Sequence, residues 1–357
     1  MDFLPELGFY GLPGHADNPT ALYGQLNDAE RIGIGVCFLS ERFNVKEIGA
    51  LTGAAVARSE HLGIASGVTN HTTRHPMVTA SWAMTLHKLS SGRFAVGIGR
   101  GIPASANAYG ILVATMAQME DAFGLWRRMW RGETIVGHDG PAGKYPALRL
   151  GPDFREEIPI MVSALGLKTM EWAGRVSDGV ILHTFFSDEA LKRCVAAVRI
   201  GATRAGKDPA RVRVWSVLAT LEGELTEERR LKALVGRMAT YMQVYGELLV
   251  TINGWDPAVL TRFKADEIVR SIPGAIDAVA TWDQLRHIET LIPESWLPAA
   301  TGPAEECAKR VLDQFEQGAD GVILHGATPL ELERVVAAYR LVRPPVLFDN
   351  RSNNPGL

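Results

Sequence analysis

Several polar side chains stand directly after short apolar runs, at positions where a buried core would not need them. In chain order they are His15, Glu41, Arg42, Asn70, His71, Arg100, Ser163, His183 and His325. Histidine titrates near neutral pH and a carboxylate accepts protons, so the set contains the residue types used in acid–base catalysis. Each residue, taken alone, is equally explained as a satisfied polar group at a strand end. The neighbouring elements must therefore decide whether these residues converge.

A glycine-rich run surrounds one of these candidates. Gly97-Ile98-Gly99-Arg100-Gly101 allows the backbone to approach a ligand closely, and Arg100 adds a fixed positive charge. As a dinucleotide-binding fingerprint the run is weak, because it follows the fourth predicted strand and has the spacing G-x-G-x-G. A turn that requires positive φ explains it equally well.

A second candidate binding segment is Ser163-Ala164-Leu165-Gly166-Leu167-Lys168-Thr169, which predicts a strand that passes directly into a helix. Free backbone N–H groups and the positive end of the helix dipole would meet there, and both favour phosphate. The hydroxyls of Ser163 and Thr169 would add donors. Alternatively, Ser163 is simply the N-cap of the helix.

The candidate residues lie within a chain in which predicted strands alternate with predicted helices. The predicted strands are Leu7–Gly11, Val36–Ser40, Leu62–Thr69, Phe94–Gly99, Pro159–Ser163, Gly179–His183, Val212–Leu218 and Asp320–His325. The predicted helices are Ala21–Ile32, Glu47–Ser59, Pro76–Leu89, Gln118–Trp130, Gly166–Arg175, Asp188–Arg204, Pro303–Gln317 and Leu330–Tyr339. Eight such units predict a (β/α)8 TIM barrel, in which the loops after the strands share one rim. A doubly wound sheet is the alternative, because a local pattern does not show whether a parallel sheet closes.

The whole chain, residues 1–357, is predicted to form a single domain. A mostly helical insertion, about 223–302, separates the seventh and eighth strands and is punctuated by prolines. We expect it to lie over the rim that carries the candidates.

Charge and cysteine usage narrow the range of partners. The chain has 37 Lys+Arg against 40 Asp+Glu, which disfavours nucleic acid as a partner. Cys37, Cys194 and Cys307 are far apart, so they predict buried thiols in a reducing cytoplasm and no metal site. No export signal or membrane-spanning run is evident. We therefore expect a cytoplasmic protein with a small-molecule substrate and no membrane partner.

The run from Leu89-Ser90-Ser91-Gly92-Arg93 through Gly101 resembles the helix-to-strand signature of the bacterial luciferase-like family, whose members use flavin or deazaflavin. Further matching segments are Ser40-Glu41-Arg42-Phe43, Arg74-His75-Pro76, Ser163-Ala164-Leu165-Gly166 and Ala173–Gly179. In order and spacing they cover about two thirds of the chain, up to the sixth strand. For the inserted segment after the seventh strand, no counterpart in the family is recognised.

The resemblance implies where a cofactor would lie. A non-proline cis peptide is expected within Ser66-Gly67-Val68, behind the central ring of the cofactor, and Glu41 is expected to line the ring pocket. The other implied cofactor-binding residues are Gly99, Arg100 and Gly101 beside the cofactor, and Ser163, Ala164, Leu165, Gly166 and Thr169 around its phosphate.

One departure from the family pattern bears on the reaction. The branch that oxidises sugar phosphates has Asp-His after strand two and Gly-Glu after strand four, where this chain has Glu41-Arg42 and Gly101-Ile102. Glucose-6-phosphate oxidation is therefore disfavoured. The candidates left for proton transfer are Glu41, His71 and His183.

The resemblance predicts a homodimeric oxidoreductase that transfers a hydride between coenzyme F420, a deazaflavin, and a small organic substrate. The alternative is an FMN-dependent monooxygenase that uses reduced flavin and O2. A hydrolase or a non-catalytic binding protein is disfavoured, because the sequence shows no nucleophile elbow, no His-x-His pair and no paired carboxylates.

Overall fold

The computed structural model describes residues 2–14, 18–43, 45–101, 103–151, 153–348 and 351–357. Its strands are β1 (Leu4–Gly11), β2 (Ile34–Leu39), β3 (Gly63–Ser66), β4 (Phe94–Ile98), β5 (Ile135–Gly140), β6 (Gly143–Leu148), β7 (Ile160–Ser163), β8 (Gly179–Ile181), β9 (Arg213–Glu222), β10 (Ala300–Gly302) and β11 (Gly321–His325). The parallel strands β1, β2, β3, β4, β7, β8, β9 and β11 pair in that order, and β11 pairs with β1. The sheet therefore closes, which confirms the predicted (β/α)8 barrel and rules out the doubly wound alternative.

The helices surround this barrel and cover one of its ends. They are α1 (Ala21–Ile32), α2 (Ile48–Arg58), α3 (Pro76–Leu89), α4 (Pro103–Ala108), α5 (Met116–Trp130), α6 (Leu167–Val176), α7 (Asp188–Arg204), α8 (Glu227–Arg230), α9 (Arg237–Asn253), α10 (Pro257–Ala265), α11 (Glu267–Ser271), α12 (Ile276–Val279), α13 (Trp282–Leu291), α14 (Ala304–Glu316) and α15 (Glu333–Val342). A π-helical segment, Leu231–Gly236, joins α8 to α9. Among the described residues, no helix is both long and apolar enough to cross a membrane.

Burial explains why the strands were recognisable in the sequence. Every residue of β2 and β4 is buried, as expected for parallel strands covered on both faces. The barrel interior is filled by large side chains, among them Phe38, Met161 and Trp215. The interior is therefore a packed core, and a ligand must bind at one of the two ends.

A β-hairpin lies within 135–148, a stretch to which no strand was assigned from the sequence. Strands β5 and β6 pair antiparallel outside the barrel. Most of their side chains are exposed or half-buried; Val136, for example, is 75% exposed. The hairpin has little apolar patterning because it buries few side chains, so the sequence carries no strand signal there.

Helices α8 to α13 and the short strand β10 lie between β9 and β11, and β10 pairs with the end of β9. We call the end of the barrel formed by the loops after the strands the mouth, and the opposite end the floor. Residues 351–357 cover the floor. Arg213 donates to the Asn354 carbonyl (2.9 Å), Trp215 Nε1 donates to the Pro355 carbonyl (2.8 Å), and Asn354 donates to the carbonyls of Gly92 and Phe94.

Candidate active site

One face of α9 crosses the mouth of the barrel. Arg237, Tyr241 and Tyr245 are four residues apart, so they project from the same side of the helix. The ring centroids of Tyr241 and Tyr245 lie 4.5 and 5.0 Å from that of His183, just after β8. The backbone leaves helical geometry at Tyr245, with φ −147° and ψ 34°. Helix α9 thus brings two phenol groups onto a predicted catalytic residue.

His183 holds a defined tautomer. Its Nδ1 lies 3.0 Å from the Thr184 carbonyl oxygen and its Nε2 lies 2.7 Å from the Tyr245 hydroxyl. A carbonyl only accepts, so Nδ1 carries the proton and Nε2 accepts from Tyr245. Burial, together with the nearby charge of Arg237, lowers the pKa of His183 to about 4. Burial also raises the pKa of Tyr245 well above its usual value. At neutral pH the two groups form a neutral phenol–imidazole pair.

A second aromatic pair completes this side of the mouth. The ring of His325, at the end of β11, lies 5.6 Å from that of Tyr10 and nearly perpendicular to it. Burial, followed by the charge of Arg237, lowers the pKa of His325 to about 3. His183 and His325 were candidates on the sequence alone, whereas Tyr10, Tyr241, Tyr245 and Arg237 were not. The four-residue spacing within α9 was the available signal for three of these.

Glu41 is engaged in an ion pair. Its side chain is 4% exposed, and its two oxygens accept from Arg74 at 2.5 and 3.2 Å and from the Thr69 hydroxyl. Arg74 also binds Glu47, which caps the start of α2. A carboxylate held this way is poorly suited to proton transfer, so the geometry disfavours the predicted catalytic role and favours a role in positioning the loops after β2 and β3.

His71 lies in the loop after β3. Its Nδ1 is buried and has no hydrogen-bond partner among the described residues. Burial lowers the pKa of the ring. The neighbouring Asn70 is a structural residue, because its side-chain oxygen accepts from the amides of Thr72 and Thr73. His71 remains a candidate ligand-facing residue on the β3 side of the mouth.

Three predicted cofactor-binding positions meet between β3, β4 and β7. A Cβ added to Gly99 would lie 2.7 Å from both Ser163 Oγ and Val68 Cγ2, so this position accepts only glycine without displacement. The expected non-proline cis peptide is present between Gly67 and Val68. The side chain of Ser66 is fully buried and its hydroxyl bonds to the backbone of Gly97 (2.8 and 2.9 Å), so a contribution of this residue to the site would come from its backbone.

The loop after β4 is open at its tip. Gly101 has φ +77° and a Cβ there would meet nothing within 4 Å, which fits the positive-φ turn considered from the sequence. Arg100 is exposed and its Nε donates to the Ala114 carbonyl (2.8 Å). Its guanidinium is thus anchored to the following loop while remaining at the rim. His15 and Ile102 lie outside the described residues.

The start of α6 offers several unpaired amides. The helix begins at Leu167 with Gly166 as N-cap, one residue later than predicted, and no side chain caps it. The Ala164 amide donates to the Ile181 carbonyl (3.1 Å), and the first hydrogen bond of the helix runs from the Met170 amide to the Gly166 carbonyl. Within the described residues, the amides from Leu165 to Thr169 therefore have no backbone acceptor, and they lie where the helix dipole favours an anion.

The strands order these groups around the mouth. In the ring of eight strands β7 stands four positions from β1, so the α6 end and the β1 loop lie on opposite sides. The side chain of Leu248, on α9, comes within 3.9 Å of a Cβ built on Gly166. Helix α9 therefore spans the mouth, from Arg237 near the β1 loop to Leu248 near the start of α6. No group of three or more possible metal ligands occurs among the described residues.

Comparison with known proteins agrees with this architecture. Residues 8–340 match the family model for luciferase-like monooxygenases. The chain is 25% identical over 300 residues to 5,10-methylenetetrahydromethanopterin reductase of Methanolobus tindarius, an alignment that covers 83% of this chain and 86% of the relative. It is 33% identical over 186 residues to phthiodiolone/phenolphthiodiolone dimycocerosates ketoreductase of Mycobacterium tuberculosis, covering 50% of this chain and 49% of the relative.

Among solved structures, the coenzyme F420-dependent tetrahydromethanopterin reductase of Methanopyrus kandleri superposes with a TM-score of 0.78 at 18% identity, covering 94% of this chain and 99% of that one. The family match spans nearly all of the barrel and the whole insertion, for which no counterpart was recognised from the sequence, and the fold and the cis peptide expected from the family are both present. This chain therefore belongs to the luciferase-like monooxygenase family of oxidoreductases.

Proposed function

We propose that the protein is an F420-dependent oxidoreductase that transfers a hydride between the deazaflavin and the carbon of a carbonyl or alcohol group in a small organic substrate. The observation that carries this proposal is the neutral Tyr245–His183 pair at the mouth of the barrel. Conversion between a carbonyl and an alcohol moves one hydride and one proton, so the enzyme needs a proton-transfer group next to the hydride carrier.

The residues present fit a phosphate-bearing cofactor. The unpaired amides from Leu165 to Thr169 provide donors for its phosphate. Because Gly99 has no side chain, a cofactor can approach the backbone closely beside Val68 and Ser163. When bound, coenzyme F420 supplies a hydride donor or acceptor that does not ordinarily activate oxygen. The F420 assignment is supported by the tetrahydromethanopterin reductases that this chain resembles.

Tyr245 is the group that would exchange the proton with the substrate oxygen. Its own proton points to His183 Nε2, which leaves the lone pairs of the phenol oxygen to accept from a substrate hydroxyl. In alcohol oxidation the substrate proton passes to the Tyr245 oxygen as the Tyr245 proton passes to His183. In carbonyl reduction both transfers run backwards. His183 is kept neutral between cycles by burial and by the charge of Arg237.

Cofactor titration tests this proposal. We expect the purified protein to bind coenzyme F420 more tightly than FMN, measured in parallel by fluorescence at one ionic strength. We also expect reduction of bound F420 by members of a panel of secondary alcohols under anaerobic conditions. Equal or tighter binding of FMN, with oxygen consumption when reduced FMN is supplied, would instead identify a flavin-dependent monooxygenase.

A further inference from the structure

Lys46 is a buried lysine at the mouth. Lys46 as a whole is 5% exposed, and its Nζ donates to the Leu12 carbonyl oxygen (2.9 Å) and to Ser40 Oγ (3.3 Å). Within the described part of the chain, no carboxylate lies at ion-pair distance from this ammonium group. Three N–H donors are available and two are used, so one remains for a ligand.

Arg237 approaches the same place from α9. Its Nη1 pairs with Asp277 Oδ2 at 2.9 Å, and its guanidinium lies 6.0 Å from the ring centroid of Tyr241. Its Nη2 comes within 3.9 Å of a Cβ built on Gly14, in the loop after β1. The side chain is therefore held between the insertion and the β1 side of the mouth.

The charges of Lys46, Arg237 and Arg42 act on one another. Burial, and then the like charges of Arg42 and Arg237, lower the pKa of Lys46 to about 8. Burial, and then the like charge of Arg237, lower the pKa of Arg42, whereas the charge of Asp277 acts to raise it. Lys46 and Arg237 thus bring two cationic side chains to one recess beside the β1 loop; in the part of the chain that the structure describes, Asp277 pairs with Arg237, whereas Lys46 has no ion-pair partner. A buried ammonium group without a carboxylate partner is costly unless an anion balances its charge.

This recess is separate from the cofactor-phosphate site proposed at α6. Lys46 and Arg237 lie beside β1 and β2, on the side of the mouth opposite β7. Tyr241 and Tyr245 lie on α9 between the two sites. A ligand held by Lys46 and Arg237 would therefore extend toward Tyr245 from the side that the cofactor phosphate does not use.

We propose that the substrate carries an anionic group, a carboxylate or a phosphate, which Lys46 and Arg237 bind on the β1–β2 side of the mouth while the reacting carbonyl or hydroxyl group faces Tyr245. The inference rests on the proposed function for the reacting end of the substrate. Eight residues separate Arg237 from Tyr245, about 12 Å along a helix, so the substrate is several bonds long. The anion would also offset the positive charge that helps to keep His183 deprotonated.

The test compares three matched ketones by isothermal titration at constant ionic strength. They are 6-oxoheptanoate, 5-oxohexyl phosphate and the neutral 6-oxoheptanamide, each titrated into the protein with and without coenzyme F420. We expect at least one of the anionic ketones to bind tenfold or more tightly than the amide. The anion that shows the larger preference identifies the chemistry of the group.

Variants test whether Lys46 and Arg237 cause the tighter binding of the anionic ketones. Lys46→Met and Arg237→Gln, each shown to be folded by circular dichroism, should reduce the preference below threefold. Asp277→Asn should increase it, and Lys168→Ala, at the α6 side, should leave it unchanged.

Equal binding of anions and amide, or a preference that survives both Lys46→Met and Arg237→Gln, would overturn the inference while F420 binding stays intact. Failure to bind F420 with the preference retained would refute the proposed function instead.

Discussion

His183 lies just after the buried strand β8, yet one of its ring nitrogens accepts a hydrogen bond from Tyr245, on a helix distant in sequence. The Thr184 carbonyl fixes the proton on Nδ1, and that choice makes Nε2 an acceptor for Tyr245. Neither contact alone would suggest catalysis, because buried histidines are commonly hydrogen-bonded. The combination of a fixed tautomer, a phenol and a position at the barrel mouth indicates proton transfer.

Tyr245→Phe tests this assignment at a single atom. Loss of the hydroxyl should lower kcat by roughly a hundredfold or more, the usual contribution of general acid–base catalysis, with little change in the dissociation constant of F420. Tyr241→Phe is the matched control, because its ring also contacts His183 but its hydroxyl is not the partner of Nε2. Steady-state rates with the best alcohol of the panel provide the measurement. Similar rate losses in the two variants would point to packing rather than proton transfer.

Glu41→Gln separates a positioning role from a catalytic one. Removal of the carboxylate charge leaves Arg74 without its buried partner, so we expect the free energy of unfolding to fall by about 1–3 kcal/mol in urea titrations. The exposed partner provides the control, since Glu47→Gln should cost under about 1 kcal/mol. Unchanged stability together with a collapse of kcat would restore the catalytic role predicted from the sequence.

At the level of secondary structure, the elements that bury a regular face were predictable and the others were not. Strands such as β4 are apolar throughout, and α3 begins with His75-Pro76 as expected. The β5–β6 hairpin exposes most of its side chains and carries no such pattern. The contact between α9 and the loop after β8 joins residues 62 positions apart, and nothing local in the sequence pairs Tyr245 with His183.

The start of α6 gives a sharper test of phosphate binding than the sequence allowed. Gly166 is extended, with φ −96° and ψ 149°, which is the conformation that a following proline prefers. Leu167→Pro therefore removes one amide donor at the first helical position, where proline is tolerated. We expect F420 binding to weaken by about 1.5–3 kcal/mol, whereas Lys168→Ala, which removes an exposed charge, should cost under about 1 kcal/mol.

Fluorescence titration of F420 against both variants, after circular dichroism has shown that each is folded, decides between backbone and side-chain recognition. A loss of binding in Lys168→Ala with normal binding in Leu167→Pro would place the phosphate elsewhere.

At the scale of the whole molecule, the outer surface carries an apolar groove between α2 and α3. It is lined by residues that include Gly49, Gly53 and Trp82, and its edges carry Val78 (55% exposed) and Leu89 (63% exposed). Two glycines without side chains leave space for apolar groups of a second subunit. We propose that a second copy of the chain covers this groove.

Val78→Glu should therefore convert the dimer to a monomer in sedimentation velocity experiments, because it would bury an unpaired charge at the subunit contact. Leu341→Arg is the control, since Leu341 is more exposed (88%) but lies on α15, away from the groove. A monomeric wild-type protein, or a dimer that persists in Val78→Glu, would contradict this assignment.

Closure of the barrel floor by residues 351–357 bears on how readily the protein can acquire new substrates. Arg213 and Asn354 tie the tail to the beginnings of β9 and β4, at the end away from the mouth. These hydrogen bonds hold the strands together at the floor and do not involve the helices that lie over the mouth. We expect sequence change in α8–α13 to alter substrate range at little cost in heat resistance, and change at the floor to do the reverse. Diversification and thermal tolerance would then be set by opposite ends of one barrel.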